Sequence, residues 1–184
     1  PRQTLGPFYP RSADERPRET DADLLVVSGE RVLSRGTALY LTGRVLDRKG
    51  LPVAGAQVEI WQCDANAVYH HPAGGAERER DPNFQGYGQA RTDDSGAFHF
   101  RTIRPVAYPG RTPHIHVRVE ARGQPVLATQ LYVADEAGNG RDFLYRQLSA
   151  EERSQLTLTL RPTASLHPLA QATALTAATD LVLG

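Results

Sequence analysis

Tyr108-Pro109-Gly110-Arg111-Thr112-Pro113-His114-Ile115-His116-Val117-Arg118-Val119-Glu120 runs from a turn into a strand. Pro109, Gly110 and Pro113 make the lead-in turn-rich. From His114 to Glu120 the segment has strand character. Ala121-Arg122-Gly123-Gln124-Pro125 reads as a turn and Val126 to Val133 as the next strand. On a strand, residues two apart point to one face. His114 and His116 therefore lie side by side, and two adjacent imidazoles can chelate a metal ion.

The same grammar extends in both directions. Leu39 to Leu46 reads as a strand with Leu39, Leu41, Gly43 and Val45 on one face. Asp47-Arg48-Lys49-Gly50-Leu51-Pro52 is a turn, and Ala56 to Trp61 is predicted to return beside the first strand. Gly86 to Thr92 and Ala97 to Thr102 are predicted to form a second hairpin around Asp93-Asp94-Ser95-Gly96. Gln155 to Arg161 alternates, with Leu156, Leu158 and Leu160 on one side, and Thr173 to Leu183 reads as a last strand. Ser149-Ala150-Glu151-Glu152 is a capping box that starts a short helix. Many short strands with Gly/Pro turns predict an all-β fold: an antiparallel β-sandwich with long loops, little helix and one domain over residues 1–184. Residues 1–37 read as an extended arm, with Leu24-Leu25-Val26-Val27 as an anchor. Within it, Gly6-Pro7-Phe8-Tyr9-Pro10 is a stiff segment that either caps a pocket or fastens the terminus.

Composition narrows the functional classes. The 184 residues suffice for a substantial core. Acidic and basic residues balance at 21 each, which offers no electrostatic case for nucleic acid or a membrane surface. No apolar run approaches the roughly 20 residues of a membrane span. Cys63 is the one cysteine, so neither an intrachain disulfide nor a Cys-rich zinc site can form. The chain starts at Pro1 and contains no Met. The expectation is an initiator lost by processing or trimming, an export leader being one route, with the compartment, cytoplasmic or exported, left open.

Two histidines need further ligands. His70, His71 and His99 are the nitrogen candidates. His99 falls within the second hairpin, whereas His70 and His71 lie in the long excursion of residues 62–86, and loops of that length are usually functional or disordered. The oxygen candidates are Tyr69, in the same excursion, and Tyr108. A phenolate is a hard donor suited to a hard ion such as iron(III), and a highly charged metal can deprotonate a phenol of pKa near 10. Residue types alone do not choose between two Tyr and further His. Tyr40, Tyr87, Tyr132 and Tyr145 are read as structural.

A resemblance supplies what residue types leave open. The chain resembles the intradiol ring-cleavage dioxygenases, the iron(III) family that includes protocatechuate 3,4-dioxygenase and catechol 1,2-dioxygenase. The similarity is carried by Gly6 to Pro10, Thr42 to Asp47, Val58 to Gln62, Asp64 to Tyr69, Asp81 to Phe84, Phe100 to Pro105, Tyr108 to His116 and Thr129 to Tyr132. It implies a metal site of Tyr69, Tyr108, His114 and His116 holding Fe(3+). Tyr108 corresponds to the ligand that leaves when substrate arrives, and Tyr69 to the one that stays. Arg111 and Gln130 correspond to catalytic and substrate-binding residues beside the developing charge on the ring. Tyr9 corresponds to an arm residue lining the substrate pocket.

The implied partners are a catecholic small molecule and O2. The implied reaction opens the ring between its two hydroxylated carbons and gives a cis,cis-muconate-type diacid. Gly110 stands where protocatechuate enzymes often carry a bulky aromatic, which leaves the ring substituents open. The long helical N-terminal region of catechol and hydroxyquinol enzymes is missing, and the arm looks like the protocatechuate branch. All four ligand positions are on one chain, so a homo-oligomer or a monomer would suffice. Two other readings stand beside this one. One is a non-catalytic β-sandwich binding module. The other is a zinc hydrolase built on His114, His116 and His70 or His71.

Overall fold

The computed structural model describes residues 1–27, 32–74, 79–166 and 173–184. Residues 75–78 of the long loop and 28–31 of the arm, both within segments read from the sequence, lie outside them. Nine strands are described: β1 (Ala38–Leu46), β2 (Gln57–Trp61), β3 (Tyr87–Arg91), β4 (Ala97–Ile103), β5 (His114–Glu120), β6 (Leu127–Val133), β7 (Thr157–Leu158), β8 (Arg161–Ala164) and β9 (Thr173–Val182). They form two sheets, one in the order β4-β1-β9-β8 and the other β3-β2-β5-β6-β7. Leu39, Leu41, Val45, Phe98 and Phe100 of the first sheet face Val58, Ile60, Ile115, Val117, Val119 and Leu131 of the second, all buried. This is the all-β sandwich that the strand periodicity predicts, because each sheet has one apolar face to bury. Two pairings, β1 with β9 and β6 with β7, are parallel, which an antiparallel sandwich does not include.

Both expected hairpins are instead crossings between sheets. β1 pairs with β4 and β9, and β2 pairs with β3 and β5. The turns themselves form as their chemistry dictates. Asp47 Oδ1 accepts the N–H of Lys49 (2.8 Å) and Leu51 (2.9 Å), and Asp93 Oδ1 accepts those of Ser95 and Ala97, each at 2.9 Å. Such Asx turns reverse the chain but do not choose the strand's next partner. The requirement to bury both inner faces sends β2 and β4 to opposite sheets. The Ala121–Pro125 turn is a true hairpin, joining β5 and β6.

Helix is scarce and short. The Ser149 capping box forms, with Ser149 Oγ accepting the Glu152 N–H and Glu152 Oε2 accepting the Ser149 N–H, and starts α2 after a preceding helix α1, Phe143–Gln147. α2 runs Ala150–Leu156, so Gln155 and Leu156 end a helix and do not begin the expected strand. That strand is reduced to Thr157–Leu158, and the chain then changes sheet to β8. Among the described residues no helix is long and apolar enough to cross a membrane.

The arm lies along the body. Leu24 and Leu25 are buried against the main core, and backbone bonds link Leu24 and Ala22 to Arg101. Near its start, the Gln3 N–H reaches Ala128 O at 2.7 Å. The arm and the excursion after β2 bury part of the outer face of the second sheet. A second, smaller apolar cluster forms there from Tyr9, Trp61, Cys63, Tyr69 and Tyr87, with Leu5, Phe8, Val106 and Tyr108 against it.

Candidate metal centre

Register across the second sheet builds the floor of the site. Tyr87 pairs with Trp61, Trp61 with His116, and His116 with Gln130, so four side chains form one row over β3, β2, β5 and β6. His114 is two residues away on the same face, opposite Tyr132. Both histidines are 2% exposed. Their Nε2 atoms approach to 3.2 Å, and the Tyr69 hydroxyl lies 3.4 Å from His114 Nε2. Tyr108 completes the group from the other side, its ring 5.6 Å from Tyr69 and 5.5 Å from His114 by centroids.

The local chain explains each placement. Asp64 anchors the excursion that carries Tyr69: Oδ1 accepts the N–H of Asn66 and Val68, and Oδ2 accepts that of Asp81 at 2.7 Å. Tyr108 and Arg111 close a turn through an Arg111 N–H to Tyr108 O bond of 2.9 Å, with Gly110 at φ +84° supplying the left-handed position. His114 Nδ1 donates to Thr112 O at 2.7 Å, which points the Nε2 lone pair inward. Trp61 lies flat against His116 and sets the plane of that ring.

Electrostatics keep the two histidines in the form a cation requires. Burial pushes His114 down to about 4, assisted by the charge of Arg111. His116 is driven well below its ordinary value by burial, then by His114 and Arg111. Both are neutral imidazoles at neutral pH. Tyr69 is raised well above 10 by burial and by Tyr108. Tyr108 is raised by burial, with Arg111 opposing. Without a cation both phenols keep their protons.

The donor set fits a metal ion. With the proton of His116 on Nδ1, which has no partner, both Nε2 atoms turn lone pairs toward one another, and the Tyr69 hydroxyl can serve only one of them. A cation among these atoms would take up the lone pairs that now face one another. Among the described residues no three His, Cys, Asp or Glu side chains assemble, and the polar side chains nearest the two histidines are the phenols of Tyr69 and Tyr108. His70 and His71 are engaged elsewhere. His70 Nε2 donates to Asp64 at 3.2 Å, and His71 Nδ1 accepts the Ala73 N–H at 3.1 Å while its Nε2 lies 3.7 Å from Glu15. His99 is exposed on the first sheet.

Arg111 and Gln130 sit at the edge of the group. Arg111 NH2 donates to Gln130 Oε1 at 2.5 Å, and NH1 lies 3.5 Å from the Tyr108 hydroxyl. Gln130 Nε2 reaches Thr4 O of the arm at 3.4 Å. Tyr9 behaves differently from its expected placement. Its hydroxyl donates to Glu59 at 2.7 Å, with Arg118 5.9 Å over its ring, so its polar end turns away from the four donors. The neighbouring Phe8 takes the inward position, stacked on Tyr69 at 4.3 Å. Along the arm the two adjacent aromatics point to different sides, Tyr9 toward Glu59 and Phe8 onto Tyr69. Asp142, which the sequence did not single out, accepts from Arg111 Nε at 2.8 Å. Its one signal was an Asp before the helix-forming run Phe143-Leu144-Tyr145, and a five-residue helix is too short for periodicity to reveal. Cys63 is buried, and burial pushes its thiol to about 12, so it is not an activated thiolate.

The site is thus a β-sandwich sheet face carrying two neutral histidines, with two loop tyrosines beside them and an N-terminal arm over them. The chain matches the family model described as Dioxygenase over residues 6–183. It is 30% identical over 160 residues to the catechol 1,2-dioxygenase of Candida albicans, covering 77% of this chain and 49% of that protein. It is 30% identical over 150 residues to the hydroxyquinol 1,2-dioxygenase of Rhizobium sp., covering 72% of this chain and 47% of that protein. The chain therefore spans about half the length of these relatives (49% and 47%). Its fold superposes on the dioxygenase domain of a dioxygenase carbohydrate-binding protein fusion from Streptomyces sp. SirexAA-E with a TM-score of 0.67 and 33% identity, covering 100% of this chain and 96% of that one. The chain belongs to the intradiol ring-cleavage dioxygenase family.

Proposed function

We propose that this chain is a non-haem iron(III) dioxygenase that opens a catechol-type ring between its two hydroxylated carbons with O2, giving a cis,cis-muconate-type diacid. The observation that carries the proposal is the grouping of Tyr69, His114 and His116, all buried, with the partly exposed Tyr108. Two phenolic oxygens beside two imidazoles suit a hard trivalent ion better than a thiolate-seeking one. Iron(III) held by these four side chains would supply Lewis acidity, stabilising phenolates and a chelated catecholate at neutral pH.

The side chains divide the remaining work. Tyr69 is 4% exposed and pinned under Phe8, which suits a permanent ligand. Tyr108 is partly exposed on a turn and faces Arg111, which suits a ligand that yields its place. The Tyr108 oxygen would accept a proton from one catechol hydroxyl. The Arg111 guanidinium, held between Tyr108 and Gln130, would stabilise negative charge that builds on the ring. The arm excludes water from His116 and Tyr69. The catechol and hydroxyquinol relatives support a vicinal diol as the common substrate feature.

The test is the visible spectrum of the iron-loaded protein, recorded anaerobically before and after adding catechol and then protocatechuate. A broad phenolate-to-iron band that shifts with one of them supports the proposal and ranks the two rings. Tyr108→Phe should change both the band and turnover. A protein that holds iron fully and stays colourless overturns the tyrosine assignment. A protein that takes up no iron supports a binding module instead.

A further inference from the structure

Two consecutive residues grip Arg111 from the start of α1. Asp142 Oδ2 accepts Arg111 Nε at 2.8 Å and the Thr112 N–H at 3.0 Å. Its other oxygen accepts the N–H groups of Leu144 and Tyr145, each at 3.0 Å, and so caps the helix. The Phe143 ring lies 5.4 Å from the guanidinium carbon. The Asp142 side chain is 0% exposed and that of Arg111 is 9% exposed. Phe143 is 57% exposed, so its ring lies beside the guanidinium at the surface.

This arrangement exceeds what a helix cap needs. Ser or Asn caps a helix about as well as Asp. A fully buried carboxylate is costly unless it is paired, and Arg111 is the cation that pairs it. Burial alone would raise Asp142, but the N–H of Tyr145, Arg111 and the N–H of Thr112 outweigh it and hold the carboxyl below its ordinary range. With Nε tied to Asp142 and the Phe143 ring beside the guanidinium carbon, the two terminal nitrogens are held in one orientation. NH2 meets Gln130 Oε1, and NH1 faces the Tyr108 oxygen.

We infer that Asp142 and Phe143 form a positioning pair that aims the terminal nitrogens of Arg111 at the substrate position beside Tyr108. Its kinetic consequence rests on the catechol dioxygenase reading, whereas the clamp itself rests on the geometry of Arg111. Neither residue touches the four metal donors. Asp142 also accepts the N–H of Thr112, whose carbonyl orients His114, so the Arg111 Nε–H signal is what separates the guanidinium route from that one.

Asp142→Asn separates the two roles of Asp142, because Asn keeps the cap and loses the charge that anchors Nε. In the iron-loaded enzyme, kcat for catechol should fall on the order of 10- to 100-fold while KM moves less than about threefold. Phe143→Leu, which keeps apolar bulk but removes the ring face, should cost a smaller, several-fold loss in kcat. In nitrogen-15 NMR of the metal-free protein, the Arg111 Nε–H signal, assigned by its loss in Arg111→Lys, should be protected from exchange in the wild type and unprotected in Asp142→Asn. A kcat within about twofold of wild type, with that signal still protected, overturns the inference and leaves a helix cap only. If Asp142→Asn does not fold by circular dichroism, Asp142→Ser keeps the cap and takes the same measurements. If the wild type opens no catechol ring, the proposed function fails. The NMR arm then decides the clamp alone, and a wild-type Arg111 Nε–H without protection overturns it.

Discussion

Trp61 lies flat on His116, with ring centroids 4.9 Å apart and planes 9° from parallel. The two residues are register partners on β2 and β5, so the sheet itself brings the rings together. Trp61 is 1% exposed, and its ring is also one wall of the smaller apolar cluster. Trp61→Ala should therefore act twice. It should lower unfolding free energy by about 3–5 kcal/mol, the usual cost of emptying a large aromatic site. It should also free the His116 ring and reduce iron content after dialysis, whereas Trp61→Phe should lose less of both. Urea titration and metal analysis check the pair, and loss of stability with unchanged iron retention would separate packing from the metal site.

Tyr9 provides the complementary case of a residue beside the site that does not point into it. Its hydroxyl donates to Glu59, a carboxylate that is 2% exposed. Tyr9→Phe removes that donor and should cost about 1–3 kcal/mol, because a buried polar group loses a partner. Ring-cleavage kcat and KM should stay near wild type. A large change in KM at unchanged stability would show that the hydroxyl reaches the substrate after all.

Acid should loosen the loop that holds Tyr69. Burial raises Asp64, but the bond from His70 and the N–H groups of Asp81, Val68 and Asn66 outweigh it, so its folded pKa lies below 3.8. The unfolded chain then binds the proton more readily than the folded one. Stability from Asp64 is fully present above the ordinary carboxylate range and is lost as pH falls through the lower folded value. Asp64→Asn should be less stable at neutral pH and should show a shallower loss of stability between about pH 4 and pH 2, measured by urea titration at each pH. An acid limb as steep as that of wild type would remove Asp64 as its source.

Gly6 carries the arm over His116. Its φ is +73°, and a Cβ there would come within 3.2 Å of His116 Cε1. Gly6→Ala adds backbone strain of roughly 1–2 kcal/mol and crowds the His116 ring, a ligand in the proposed iron site. The expected outcome is a lower melting temperature and a shifted visible band in the iron-loaded protein. A band identical to wild type would show that the arm can move aside without disturbing His116.

Much of this molecule is local enough to be read along the chain. Strand periodicity marks the main strands because each buries one face, and the spacing of His114 and His116 puts both imidazoles on one side whatever the partner strand. Asp47 and Asp93 announce their turns through side-chain bonds only two to four residues long. The resemblance to the dioxygenase family brought Tyr69 and Tyr108 to the same point as the histidines.

Tertiary structure decided what local chemistry leaves degenerate. An Asx turn reverses the chain equally well into a hairpin or across a sandwich, and only the burial of two apolar faces sends β1 and β2 to different sheets. Phe8 and Tyr9 are adjacent aromatics, and a buried Glu59 some 50 residues away turns one hydroxyl outward while Phe8 covers Tyr69. Asp142 looks like an ordinary helix cap until Arg111, 31 residues earlier, is folded onto it. In each case the deciding partner is distant in sequence. The energy that selects it, burial of an apolar face or pairing of a buried charge, exists only once both segments have left water.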